Sequence, residues 1–173
     1  MFPITHGLIG WSVSQNLKVR KDRIAVTIAS VIPDLDGLGA IISTDYYGMF
    51  HHVFGHNLFF GVLLSLIAFR FSYEKHKTAI LVFLSFHTHI LGDLLGSGAG
   101  WGIPYFWPIS SRVYEFSPPF QWELDSWQNL LVIFICIVFV IICGVKKDRT
   151  VVEVFSKSVE KKLLMFLKSG SLK

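Results

Sequence analysis

An all-α, multi-pass helical membrane bundle, with about four membrane crossings and a short N-terminal helix, is the fold class that this sequence predicts. Three observations point to it. Hydrophobic residues make up 52% of the 173-residue chain and its mean hydropathy is +0.53, more apolar content than one soluble domain needs to fill a core. Two mostly apolar stretches, 79–95 and 130–145, approach the length a helix needs to cross a bilayer. Lysine and arginine gather into short clusters at 18–23, 75–77 and 146–149, while the links 43–57 and 97–128 hold only Arg112. Such an alternation marks cytoplasmic and outward-facing loops, because basic residues stay on the cytoplasmic side.

The first residues, Met1 to His6, carry neither a basic n-region nor a small-residue cleavage site, so no removable signal peptide is expected and the membrane segments themselves direct insertion. Residues 4–17 read as a short apolar helix bearing His6, ended by the first basic cluster. Residues 24–32 are apolar and then meet Pro33-Asp-Leu-Asp-Gly37, where proline and glycine predict a kink or helix end and two carboxylates enter membrane depth. Nine residues cannot span alone, so this segment either crosses in a broken form as far as 43 or pairs with the first helix as a hairpin. Residues 44–50 read as a turn-like link, followed by His51-His-Val-Phe-Gly-His-Asn57 at the mouth of an apolar helix over 58–71.

A basic turn at 73–77 leads into a helix that contains Ser85-Phe-His-Thr-His-Ile-Leu-Gly-Asp93. Polar groups of this kind are costly in hydrocarbon and mark function. His89 and Asp93 stand four apart and project from one helix face, within reach of one metal ion, whereas His87 points about 200° away from His89. The piece 96–100 is glycine-rich, and 101–127, with tryptophans at 101, 107, 122 and 127, reads as an interfacial loop that roofs the site. Residues 130–145 are the clearest membrane helix; its Cys136 and Cys143 are expected as buried thiols, neither a disulfide nor a zinc site. Two units follow: a helical membrane domain over 1–145 that carries the site, and a basic amphipathic cytoplasmic tail over 146–173. The net charge of +4 is scattered among these clusters with no aromatic-lined groove, so nucleic acid is not an expected partner.

With crossings near 24–43, 57–73, 78–96 and 129–145, the C-terminus lies inside. A rise of roughly 1.5 Å per residue from the cytoplasmic ends puts His6, Asp34 and His89 at roughly 17–18 Å, Asp93 at roughly 24 Å and His56 at roughly 26 Å. Against a core about 30 Å thick, all fall between the midplane and the outer surface. Four segments thus bring metal-type ligands to one depth.

An early His, Pro-Asp-x-Asp, His-x(4)-His, His-x(3)-Asp and a Gly-x-Pro…Trp-Pro stretch, together spanning His6 to Pro108, resemble the LexA-regulated, inner-membrane-bound metal-dependent hydrolases. The resemblance puts the family's histidines and acids on His6, Asp34, Asp36, His51, His56, His89 and Asp93. It departs from the family in having Gly37 where a histidine is usual and His52-Val-Phe-Gly55 in place of Arg-Gly-x-Thr. Either a histidine has moved from 37 to 52, or the site is degraded. Helical spacing alone pairs His52 with His56, while the family pattern pairs His51 with His56. The helical His/Asp ligands and early histidine are also distantly similar to zinc-dependent phospholipase C.

The expected function is membrane-embedded, metal-dependent hydrolysis of a phosphoester in a lipid or lipid-linked substrate. Its metal ligands would be His6, Asp34, His51, His56, His89 and Asp93, the metal a divalent ion, most plausibly zinc, and the base Asp36 or Asp34. The protein is expected in the cytoplasmic (inner) membrane with the site towards its outer face. A rival reading is a non-catalytic metal-binding or metal-transport protein. A third is a structural bundle whose polar residues only tie helices together.

Overall fold

The structure, a computed structural model, describes residues 1–170 as seven α-helices joined by shorter 3₁₀ segments, with no strand among them beyond one isolated bridge between Ile103 and Tyr114. The centre is α5 (Lys75–Gly96), which packs against α1 (Pro3–Val13), α2 (Arg20–Ala29) and α4 (Leu58–Phe71). Its buried stripe runs through Thr78, Val82, Ser85, Phe86, His89, Ile90 and Asp93, the three-and-four spacing of one helix face. Apolar members of that stripe join Leu17, Val26, Ala29 and Ala68 below and Ile103 above. Helix α1 approaches closely because position 10 is glycine: a β-carbon there would stand 2.1 Å from Ser30 Oγ and 2.8 Å from Ser85 Oγ.

Two helices, α5 and α6 (Trp127–Lys147), are long and apolar enough to cross a membrane, and α2 with the 3₁₀ segment Ile32–Ile41, bent by 50°, makes a broken third. The four crossings predicted therefore reduce to two or three. Helix α4 is the missing one: Asn57 Oδ1 accepts Phe60 N–H at 3.0 Å and starts it at Leu58 as expected, but its 14 residues rise roughly 21 Å, short of a core about 30 Å thick. The link expected as a turn at 44–50 is instead helix α3 (Thr44–Phe50), started by Ser43, whose side chain accepts from Tyr46 N–H. The short N-terminal helix is present, and it packs on α2. Proline explains the break before residue 32: without an N–H, Pro33 cannot continue the ladder, and Asp34 N–H turns to Val31 O at 3.0 Å.

The three basic clusters meet at one end of the bundle. Asp22 accepts from Tyr73 N–H, Glu74 N–H and Thr78 Oγ1, while Glu74 accepts from Lys18 N–H and Val19 N–H. After α6 the chain turns at Asp148 and folds back, so that Arg149 donates to Leu17 O at 3.2 Å. The short helix Val151–Val154 then delivers Glu153 into the core, 1% exposed. Its carboxylate takes Trp11 Nε1–H at 2.9 Å and two Arg23 donors at 2.7 and 2.5 Å, and its carbonyl takes Arg20. Helix α7 (Lys157–Gly170) lies against the end of α6, with Leu164 and Leu167 over Gly144. The expected tail at 146–173 is thus a docked element in its described part; residues 171–173 lie outside the described residues. Cys136 and Cys143 are buried and unpaired with each other.

Candidate metal centre

At the opposite end of α5, His89 and Asp93 face the break between α2 and the 3₁₀ segment. The break leaves Ser30 O without its helical partner, and His89 Nδ1 donates to it at 2.8 Å. The histidine loop arrives because residue 55 is glycine: a β-carbon there would sit 2.6 Å from Pro33 O and 2.8 Å from its Cα. Asp36 receives that loop, with Oδ1 2.8 Å from His51 Nδ1 and Oδ2 2.9 Å from His56 Nδ1 and 3.3 Å from Gly55 N. His52 has φ 68°, a conformation few side chains adopt, and its Nδ1 donates to Trp101 O at 3.0 Å.

Three imidazoles therefore have the same tautomer. Carbonyl and carboxylate oxygens only accept, so Nδ1 carries the proton in His52, His56 and His89 and each Nε2 keeps a lone pair. Those three Nε2 atoms converge on one oxygen, Asp93 Oδ2, at 3.8, 3.4 and 2.9 Å, and the His56 and His89 Nε2 atoms are 3.0 Å apart. Lone pair faces lone pair around a carboxylate that has no hydrogen-bond partner on Oδ2. All four side chains are at most 3% exposed. A cation satisfies such a group, and outer-shell acceptors on the remote ring nitrogen are how metal-binding histidines are oriented.

The other carboxylate oxygen, Oδ1, is held by His6 Nε2 at 3.1 Å, Ser97 Oγ at 3.0 Å and the Met1 nitrogen at 2.5 Å. Asp34 brings Oδ1 to 3.6 Å from His89 Nε2; its Oδ2 has no partner, and at 14% it is the most exposed side chain of the set. Two ligand groups result, His6–Asp34–His89–Asp93 and His52–His56–Asp93, each with its donor atoms within 4.8 Å of one another and sharing Asp93.

Burial at the loop favours a neutral ring whose Nε2 lone pair stays free. At His52 burial dominates and lowers the pKa to about 3.

Of the residues singled out in the sequence, His6, Asp34, His56, His89 and Asp93 come together. His51 does not join either group; it contacts Asp36, and His52 reaches Asp93 in its place. His87 points away, with Nε2 2.7 Å from Tyr105 Oη. Ser30 O and Trp101 O had no sequence signal of their own, although Pro33 three residues later marks the first. Trp101 also borders His51 and His52 by its ring, while Trp122 serves packing through Nε1–H to Asn129 Oδ1 at 3.0 Å.

One family model matches the chain, that of the YdjM inner membrane protein, over residues 1–157. No curated protein and no solved structure matches it.

Proposed function

The chain belongs to the YdjM inner membrane protein family, and with its apolar helices in a bilayer we propose that it is a metal-dependent hydrolase acting on a phosphoester of a lipid or lipid-linked substrate. One observation carries the metal reading: three imidazoles of fixed tautomer turn their lone pairs on a single buried carboxylate oxygen. Imidazole and carboxylate donors favour zinc. When bound, a divalent ion would polarise the phosphoryl oxygen and make water a nucleophile near neutral pH. His52, His56, His89 and Asp93 would hold it, with His6 fixing the other oxygen of Asp93. The second group, through Asp34, offers room for another ion.

Asp34 and Asp36 then divide the remaining work. Both oxygens of Asp36 are engaged by histidines, so it positions rings. Asp34, the most exposed side chain of the set, keeps a buried oxygen without a partner and is the carboxylate that can take a proton from water. Depth argues for a lipid: ligands between the midplane and the outer surface meet glycerol and headgroup atoms before they meet a soluble substrate. Hydrocarbon around them strengthens their pull on an anionic ester.

In reconstituted vesicles, chelator-sensitive cleavage of a lipid phosphoester is the expected result. Asp34→Asn lowers turnover about 10²–10⁴-fold, more than it lowers metal content. Asp36→Asn acts through the rings and loosens metal about 10–100-fold. Metal crossing the vesicle wall, with a broad phosphoester panel left uncleaved, would establish the transport reading instead.

The meeting of the basic clusters at one end supports a cytoplasmic location for that end, with the C-terminus inside and the metal centre towards the outer face. An impermeant thiol reagent applied to intact cells then labels a cysteine placed at Ser110 and spares one at Lys75. The opposite labelling would invert the protein and remove the argument from depth.

A further inference from the structure

At the basic end, the start of α2, the end of α6 and the first turns of α7 enclose a cavity of about 470 Å³ lined by Arg20, Arg23, Lys147, Arg149, Lys157 and Lys161, with three acids among them. The acids are already committed. Glu153 is held by Trp11 and Arg23, Glu160 Oε1 accepts Thr150 N–H at 2.9 Å, and Asp148 pairs with Lys168. Arg23 is committed with Glu153, and the other cations are not. Lys147, Lys157 and Lys161 are exposed and have no ion pair among the described residues. Arg20 donates to the Glu153 carbonyl through Nε and Nη2, and Arg149 to Leu17 O through Nη1, so each keeps further N–H groups for another acceptor.

We propose that this cavity binds the phosphate of an anionic phospholipid headgroup from the leaflet at the basic end. Forked guanidinium donors and compact ammonium groups are the donor set phosphate oxygens take. Basic cavities beside membrane helices select such lipids. The apolar surroundings favour a lipid over a soluble phosphate. Leu164 lines the cavity itself, and Phe155, Val159, Met165 and Phe166 are 86, 54, 57 and 73% exposed on the same segment, where acyl chains would cover them. The site is separate from the metal centre and does not depend on its chemistry.

The test is native mass spectrometry of the full-length chain released from mixed bilayers of phosphatidylethanolamine and phosphatidylglycerol. Wild type is expected to retain phosphatidylglycerol preferentially. Replacing Lys147, Lys157 and Lys161 together by Gln lowers that retention by at least about tenfold, with the melting temperature unchanged. Replacing Lys18, Lys75 and Lys77 by Gln removes the same charge from the same end and leaves retention intact. Equal loss in both variants would reduce the effect to diffuse surface attraction and overturn the proposal, as would undiminished retention in the first. Inorganic phosphate that displaces the lipid and itself stays bound in lipid-free detergent would assign the cavity to a soluble ligand.

Discussion

Purified His89→Ala, His56→Ala and Asp93→Ala proteins are each expected to lose bound metal by more than the 10–100-fold that removal of an outer-shell partner costs. Each takes away a donor that points at the shared position, and Asp93→Ala takes it from both ligand groups at once. His51→Ala should fall in the smaller range, because His51 reaches the centre only through Asp36. His52→Ala should lose more than His51→Ala, which separates helical spacing from family pattern as guides to the ligand. His76→Ala should leave metal content unchanged: its ring lies against Phe69 in the first turn of α5, at the basic end. Metal analysis after chelation and reloading reads all six. Full metal content in the first three would reduce these side chains to groups that hold helices together.

The second large effect falls on stability. Glu153→Ala leaves the Arg23 guanidinium, 6% exposed, without its counter-charge, and Trp11 Nε1–H, 0% exposed, without an acceptor. Breaking a buried pair by removing one partner costs about 3–5 kcal/mol. Unfolding of the detergent-solubilised protein should show a loss of that order. Glu153→Gln, which keeps an acceptor and the shape, should lose less. A loss for Glu153→Ala within the scatter of surface substitutions, about 0.5 kcal/mol, would mean that water reaches the guanidinium.

Much of the site could be read from the chain because its ligands announce themselves. His89 and Asp93 stand out in an apolar run, and Pro33 beside Asp34 marks a place where a helix must open. Counting residues from the basic end put these side chains at similar heights, and they do meet, although Asp34 lies past the break after α2. It gave the right company for His56 by counting along α4, although that helix proved too short to cross. Spacing named the right pair, His52 with His56, but not for the reason given, because the backbone there is not helical. At His52 a left-handed residue turns the loop, so His52 and His56 meet across a bend and not along a helix face. The acceptors that fix the rings, Ser30 O and Trp101 O, are backbone atoms and leave no mark on residue type. Helix α3 was hidden because Asp45, Tyr46, Tyr47 and Gly48 are turn-like in composition, while the deciding signal was the single capping hydroxyl of Ser43. Glu153 was hidden by distance, since nothing near it in sequence indicates a partner 130 positions away.

That separation has a consequence in time. At a synthesis rate of about 5–20 residues per second, Glu153 leaves the ribosome about 6–26 s after Arg23. For the last about 3–11 s of that interval, once Gly96 has emerged, α1, α2 and α5 are all available to pack, yet Trp11 and Arg23 have no acceptor. The joint that ties the two N-terminal helices to the rest therefore closes last, as a latch supplied by the newest part of the chain. A nascent protein halted before residue 153 would hold its histidines and aspartates together loosely, and a quality-control protease would find the same helices open that the finished protein keeps shut.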